Sequence, residues 1–246
     1  MYKQIKKATL MFFVAAVTAT ALTGCVKDDD ILAAINAGMG AEVKMQYVDL
    51  GLPSGLEWAK CNLGAENAEE YGTYFAWGET VGKKKYTWKN YAYGEAYNKL
   101  TKYCCLPEYG LNGFTDTLIC LLHEDDAATA NLYTGPILPH VSIPHIPTAD
   151  DWKELFNNTD VQWTTVKGVK GLKCTARNGT DSSIFLPAAG YMDGDKVCMA
   201  GSFGNYWSSS LGMGDPYDAW GFRFVPDRQS MSYYYRYYGQ SVRAVR

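Results

Sequence analysis

Histidine is scarce in this chain of 246 residues: His123, His140 and His145 are the whole complement, and they form no cluster with cysteine at the spacing of a structural zinc site. Imidazole catalysis and metal binding are therefore not expected, and the three read as loop residues. Charge of one sign is also lacking. Lys and Arg total 23 against 26 Asp and Glu, a net charge of −3 with the cations spread along the chain, so nothing resembles an electrostatic footprint for nucleic acid. The triplet Ser208-Ser209-Ser210 has neither a glycine elbow nor a signalled base, both of which a catalytic serine needs, and it reads as structural. No catalytic residue and no cofactor is expected. Beyond Leu22 there is no apolar run of membrane-spanning length.

What is present begins with an export signal. Lys3, Lys6 and Lys7 precede a small and apolar run from Ala8 to Leu22, too short for a comfortable membrane span and closed by small residues, as processing sites are. The next residues, Leu22-Thr23-Gly24-Cys25, resemble the lipobox of bacterial lipoproteins. That resemblance makes Cys25 the lipidated new N-terminus; an ordinary signal peptide with an incidental cysteine is the alternative. Val26-Lys27-Asp28-Asp29-Asp30 must be solvated and reads as a tether. Lys followed by acidic residues at this place also looks like the surface-export signal of Bacteroides-type lipoproteins, which implies the outer face of the outer membrane. The expected organisation is a signal peptide at 1–24, a lipidated tether and spacer at 25–45, and one domain at 46–246.

Six cysteines remain beyond Cys25, at 61, 104, 105, 120, 174 and 198, an even number in an exported chain but with no spacing that specifies a disulfide framework. Most of them read as buried small hydrophobes. Tyr47 to Ala59 reads as a hairpin around the turn Gly51-Leu52-Pro53-Ser54-Gly55, and Tyr71 to Trp77 as a short aromatic strand before a polar, aromatic loop reaching Lys102. Helical signals are few. Glu124, Asp125 and Asp126 precede Ala127, Ala128 and Ala130, as helix-capping acids do, with calcium ligation as the alternative. Thr148 and Asp151 have capping-box spacing before a Trp152, Leu155, Phe156 stripe. The proline-rich stretch from Gly135 to Pro147 excludes helix and central strand. Strands are expected at 162–166, 171–176, 184–186, 206–210, 220–225 and 241–245, which together give an α+β domain with antiparallel sheets. Trp207, Phe222, Phe224 and Val242 alternate as core-facing strand residues do.

Eight blocks, YVDLGLPSGLEWAKCNLGA, EEYGTYFAWGET, KLTKYC, EDDAAT, IPTADDWKEL, SIFLPAAGY, GSFGNYWSSS and GQSVRAVR, resemble in order the Fibrobacter succinogenes major paralogous domain family of exported proteins, over nearly all of Gln46 to Arg246. The resemblance implies a C-type lectin-like fold with two main helices and much irregular loop, in the broad group of formylglycine-generating enzymes and diversity-generating-retroelement variable proteins. One block departs: before the second helix the family has Gly-Gly-x-Trp-Arg-x-Pro-Thr, and here only Pro147-Thr148 is kept. The paired cysteines of the formylglycine-generating enzymes have no counterpart in Gly204 to Ser210, and the sugar-binding Glu-Pro-Asn and Trp-Asn-Asp signatures of true C-type lectins are absent.

Members of the family are rich in Asn between the YWSSS and GQSVR blocks, whereas this chain has no Asn after Asn205. The matching positions hold Tyr238, Tyr235, Tyr234, Tyr233 and Ser232, and further back Val225, Arg223, Gly221, Asp218 and Tyr217. Each of these residue types is reached from an Asn codon by changing adenines alone, the trace that retroelement mutagenesis leaves; ordinary divergence toward a packed Tyr cluster is the alternative. The resemblance thus implies a non-enzymatic binding lipoprotein, held to the membrane by its lipid and contacting a protein or glycan on another cell or phage through these ten residues. A structural component of the cell envelope is the competing class. With 19 Tyr and 7 Trp, the composition suits a surface in which Tyr supplies contact area at small entropy cost.

Overall fold

The computed structural model describes residues 45–246, so the signal peptide, Cys25 and the acidic tether lie outside the described residues. The chain enters through the expected hairpin, in which β1 (Tyr47–Asp49) pairs antiparallel with β2 (Glu57–Ala59). Its turn is set at Gly51, whose φ of +64° favours glycine and whose N–H donates to Asp49 Oδ1 at 2.7 Å. β3 is only Tyr74–Phe75. Two α-helices follow among the described residues. In α1 (Ala127–Leu132) the Asp126 carboxylate accepts from the N–H groups of Ala128 and Thr129, which is the capping role expected of this acidic cluster. In α2 (Ala149–Asn158) Thr148 and Asp151 form the reciprocal capping box.

The second half is built of strands. β4 (Thr159–Val166), β5 (Val169–Ala176) and β6 (Ser183–Pro187) make a three-stranded antiparallel sheet, and β7 (Tyr191–Asp193) pairs with β8 (Lys196–Cys198). β9 (Gly204–Leu211), β10 (Asp218–Val225), β11 (Arg228–Tyr235) and β12 (Gln240–Ser241) join β3 in a five-stranded sheet of order β11-β10-β9-β12-β3. The architecture is α+β, but the large sheet is mixed rather than antiparallel, because β12 runs parallel to β9 through Ser241 and Tyr206. The expected strand at 241–245 is also shorter than its pattern suggests. Val242, Arg243, Ala244 and Val245 are all buried, with Arg243 donating to the carbonyls of Ala59 and Phe185 and to Asn62 Oδ1, so the segment threads the interior instead of presenting a solvated face.

α2 covers one face of the large sheet. Trp152 stacks on Phe222 at 4.7 Å and Phe156 stacks on the same ring at 5.6 Å, while Leu155 is fully buried among Leu172, Leu186 and Phe224. The opposite face closes on Trp77, Trp207, Leu132 and Val242. Trp207, Phe222, Phe224 and Val242 are inaccessible, as their alternation predicts. All six cysteines are free thiols; Cys61, Cys104 and Cys174 are buried, whereas Cys105, Cys120 and Cys198 are partly exposed, so half rather than most act as core residues.

Candidate ligand-binding face

The ten expected contact residues lie on and beside the β10–β11 ribbon, and the pleat divides them. β10 and β11 pair without a break from Asp218↔Tyr235 to Val225↔Arg228. Side chains alternate across a strand, so Gly221, Arg223 and Val225 share one face with Ser232 and Tyr234, while Asp218, Tyr233 and Tyr235 share the other with Trp220 and Phe222. Tyr217 stands just before β10 and Tyr238 in the turn after β11.

The first group is tied into packing. Gly221 is buried, and a Cβ there would meet the Tyr206 carbonyl oxygen and the Tyr234 ring at 3.0 Å, so this glycine lets the ribbon close and offers no side chain to a ligand. Tyr234 is partly buried against Trp207 at 6.3 Å, and its hydroxyl donates to Asn205 Oδ1 at 3.1 Å. Arg223 lays its guanidinium over the Phe203 ring at 4.6 Å. Val225 and Ser232 are partly buried.

The second group opens to solvent. Tyr233 is 49% exposed and rests on Trp220 at 3.9 Å; Tyr235 is 42% exposed. Tyr235 is the hub of a belt of rings. It contacts Tyr217 at 5.9 Å, Tyr238 at 5.7 Å, Tyr237 at 5.8 Å and Trp88 at 6.3 Å, and Tyr217 in turn meets Tyr97 at 5.8 Å and Tyr109 at 5.2 Å. Trp88 and Tyr97 come from the long aromatic loop and Tyr109 from the segment after it, all of which the sequence reading left outside the site. The signal for them was their aromatic density, which says nothing of where a loop folds back.

Below the belt, Arg236 is fully buried. Its Nη1 donates to the carbonyls of Lys102 and Tyr103 at 3.2 and 3.0 Å, and its guanidinium stands 5.5 Å from the Trp77 ring and 5.4 Å from the Tyr91 ring. This side chain fastens the end of β11 to the loop segment that carries the belt. A second anchor is Asp125, which accepts from the hydroxyls of Tyr93 and Tyr103 and pairs with Lys102 at 2.6 Å. Within the ribbon, Asp218 sits half-buried with Oδ1 unpartnered; burial, reinforced by Asp215 and opposed by Arg236, raises its carboxyl to about 6.

Elsewhere, Ser208 and Ser209 are buried, Ser210 Oγ accepts from the Ala149 N–H at 3.1 Å, and Ser208 Oγ accepts from the Ser210 N–H, so these hydroxyls secure the start of α2 and the local strand. A cavity of about 1000 Å³ opens between Cys61, Leu63, Phe75, Val81 and Leu132, with Lys167 and Glu69 paired at 2.8 Å on its rim. Burial pushes the Cys61 thiol up, away from the thiolate form. No family model matches the chain, and no curated protein or solved structure matches it either.

Proposed function

We propose that the chain is a lipid-anchored protein of the outer-membrane surface whose C-type lectin-like domain binds a protein or glycan ligand through the tyrosine belt around Tyr235. The observation that carries the reading is the belt itself. Rings from four separate stretches, Trp88, Tyr97 with Tyr109, Tyr217, and Tyr235 to Tyr238, converge on one partly exposed surface, beneath which Arg236 donates to the Tyr103 carbonyl and Asp125 accepts from the Tyr93 hydroxyl. Rigid rings with polar tips on a braced loop scaffold suit recognition, because little side-chain entropy is lost on contact. The serine hydroxyls are bonded into the strand and the start of α2, and His145 Nδ1 lies 2.8 Å from the Ile143 carbonyl oxygen.

In this reading Cys25 carries the lipid and the acidic run after it directs the domain outward. The substitutions reachable from Asn codons make it the variable protein of a diversity-generating retroelement. The decisive observation is genomic: an Asn-rich template repeat beside a reverse transcriptase gene, differing from this segment only at template adenines. Its absence, with fatty-acid labelling that survives Cys25→Ala, would remove both halves of the reading. External protease on intact cells tests display separately, since an uncut domain that becomes cleavable after lysis would place it inside.

A further inference from the structure

β11 is the outer strand of the five-stranded sheet, and no described strand pairs with its free side. The hairpin tells which of its backbone groups face outward. Val225 and Arg228 flank a two-residue turn and so exchange both backbone hydrogen bonds, and the ladder alternates from there. Arg228, Ser230, Ser232 and Tyr234 therefore direct their N–H and C=O groups at β10, whereas Gln229, Met231, Tyr233 and Tyr235 direct theirs away. Contacts at the end of the strand agree. The Arg236 N–H continues the inward series by donating to the Tyr217 carbonyl at 3.1 Å, and the outward Tyr235 carbonyl accepts from the Tyr238 N–H at 3.0 Å.

Long edges are usually guarded by charges, proline or a bulge. β11 runs eight residues in unbroken register with β10, contains no proline, and carries one charged side chain, Arg228, at its first position. We propose that β11 pairs antiparallel with the β11 of a second copy of this chain, about a twofold axis at Ser232, forming one continuous ten-stranded sheet. Outward groups meet outward groups only when the paired residue numbers are both odd, and the Ser232-centred register satisfies this for Met231 with Tyr233 and for the Tyr235 N–H with the Gln229 carbonyl, the Tyr235 carbonyl being already taken by the Tyr238 N–H. It sets Met231 opposite Tyr233 of the second copy, a thioether beside an exposed ring, and Gln229 opposite Tyr235. Antiparallel order also keeps the two Arg228 side chains about 27 Å apart, eight residues at about 3.4 Å each. A parallel pairing would set them side by side. A strand with a single charge offers little to select a charged peptide, whereas its own copy fits it residue by residue. Backbone groups carry this contact, and it sets the open rings Tyr233 and Tyr235 beside Met231 and Gln229 of the second copy, so the paired edge adjoins the belt.

Ser232 is the test position. At the twofold axis it faces its own copy as a non-hydrogen-bonded pair with Cα atoms about 4.5 Å apart, inside the span of about 4.4–6.8 Å that a disulfide bridges. The full-length chain carrying Ser232→Cys, mildly oxidised beside the parent chain and Ser230→Cys, is expected to become mostly covalent dimer, while the other two pair without forming that covalent link. Adding Tyr233→Pro removes an outward N–H and leaves the β10 ladder whole, so it should cut the dimer about tenfold, two hydrogen bonds being lost across the pair, with the thermal midpoint little changed. The proposal is overturned if S232C gives no covalent dimer above the parent, if S230C cross-links equally, or if the proline leaves the dimer unaffected. It is equally overturned if the S232C thiol is captured by a chain of another mass, which would make the edge a site for a different partner.

Discussion

Tyr233, Tyr234 and Tyr235 are chemically identical neighbours, and the pleat predicts that truncating them has unequal cost. Tyr234→Ala removes a ring packed toward Trp207 and strands the Asn205 carbonyl oxygen, which sits in a residue only 2% exposed and accepts from the Tyr234 hydroxyl. Partial burial of the ring contributes about 1.5–2 kcal/mol, and leaving a buried acceptor unpaired adds about 1–3, so a loss of about 3 kcal/mol is expected. Tyr233→Ala removes a half-exposed ring whose main contact is Trp220, and the aromatic pair is worth about 0.5–1.5 kcal/mol. Tyr235→Ala leaves no buried acceptor unpaired but gives up ring contacts with Trp88, Tyr217, Tyr237 and Tyr238, so its cost lies between those of Tyr233→Ala and Tyr234→Ala. Trp207→Ala sets the upper reference at about 3–5 kcal/mol, since the indole is inaccessible and its Nε1 donates to the Phe75 carbonyl at 2.7 Å. For a domain of this size each kcal/mol moves the thermal midpoint by roughly 2–4 °C. Calorimetry should therefore place Tyr234→Ala several degrees below the parent and near Trp207→Ala, with Tyr233→Ala within a few degrees of the parent and Tyr235→Ala between the two. Three equal shifts, or a Tyr233 shift as large as that of Trp207, would refute the division of the ribbon into a packed and an open face.

Asp218 titrates at about 6 in the folded chain against about 3.9 when unfolded, so the folded state holds the extra proton between these values and stability falls as pH rises from about 4 to about 6. The full shift would amount to about 3 kcal/mol, but the carboxyl is only half-buried and screening reduces this to about 1; Asp218→Asn should thus stabilise by about 1 kcal/mol at pH 7 and by nothing measurable at pH 4, and melts that shift equally at both pH values would discard the argument. Arg243→Lys keeps the charge but loses the planar fork that serves Asn62, Ala59 and Phe185 at 2.7–3.0 Å, so urea unfolding should show a loss of about 3–5 kcal/mol, and a loss below about 1 would mean that the buried fork is dispensable.

Where a sequence signal rested on local chemistry, the structure follows it closely. The Thr148/Asp151 box, the Asp126 cap and the Gly51 turn each need only a few neighbouring residues, and each is found at its expected place. Strands whose apolar residues alternate with polar ones, as at Phe222 and Phe224, were equally legible. β11 was not. Its Ser230-Met231-Ser232-Tyr233-Tyr234-Tyr235 run has no binary pattern to read, because tyrosine suits a wet face and a packed one alike, and pairing with β10 alone decides which ring goes where. β7 and β8, of three residues each, were missed as well. The parallel β12–β9 contact depends on a crossover that no local pattern encodes. The contributions of Trp88, Tyr97 and Tyr109 to the belt likewise come from how a long loop and the segment after it return to the ribbon.

The belt and the core can share one short ribbon because polar anchors, together with ring packing of Trp88 and Tyr237 on Tyr86 and Tyr91, locate the belt. Arg236 stands one residue after Tyr235, yet it is inaccessible and its guanidinium is committed to the loop carbonyls of Lys102 and Tyr103. Its backbone N–H meets Tyr217, and its carbonyl accepts from the Trp77 N–H at 2.9 Å. Four segments are thus fixed relative to one another by bonds that involve none of the hydroxyls of Tyr217, Tyr233, Tyr235 or Tyr238. Altering an open ring removes contact area from the surface and leaves those bonds in place, whereas altering Gly221 or Tyr234 reaches the Tyr206 and Asn205 backing of the sheet. This separation runs at a period of two residues along β11, with Tyr233 and Tyr235 on the open face and Tyr234 between them packed toward Trp207 and bonded to Asn205.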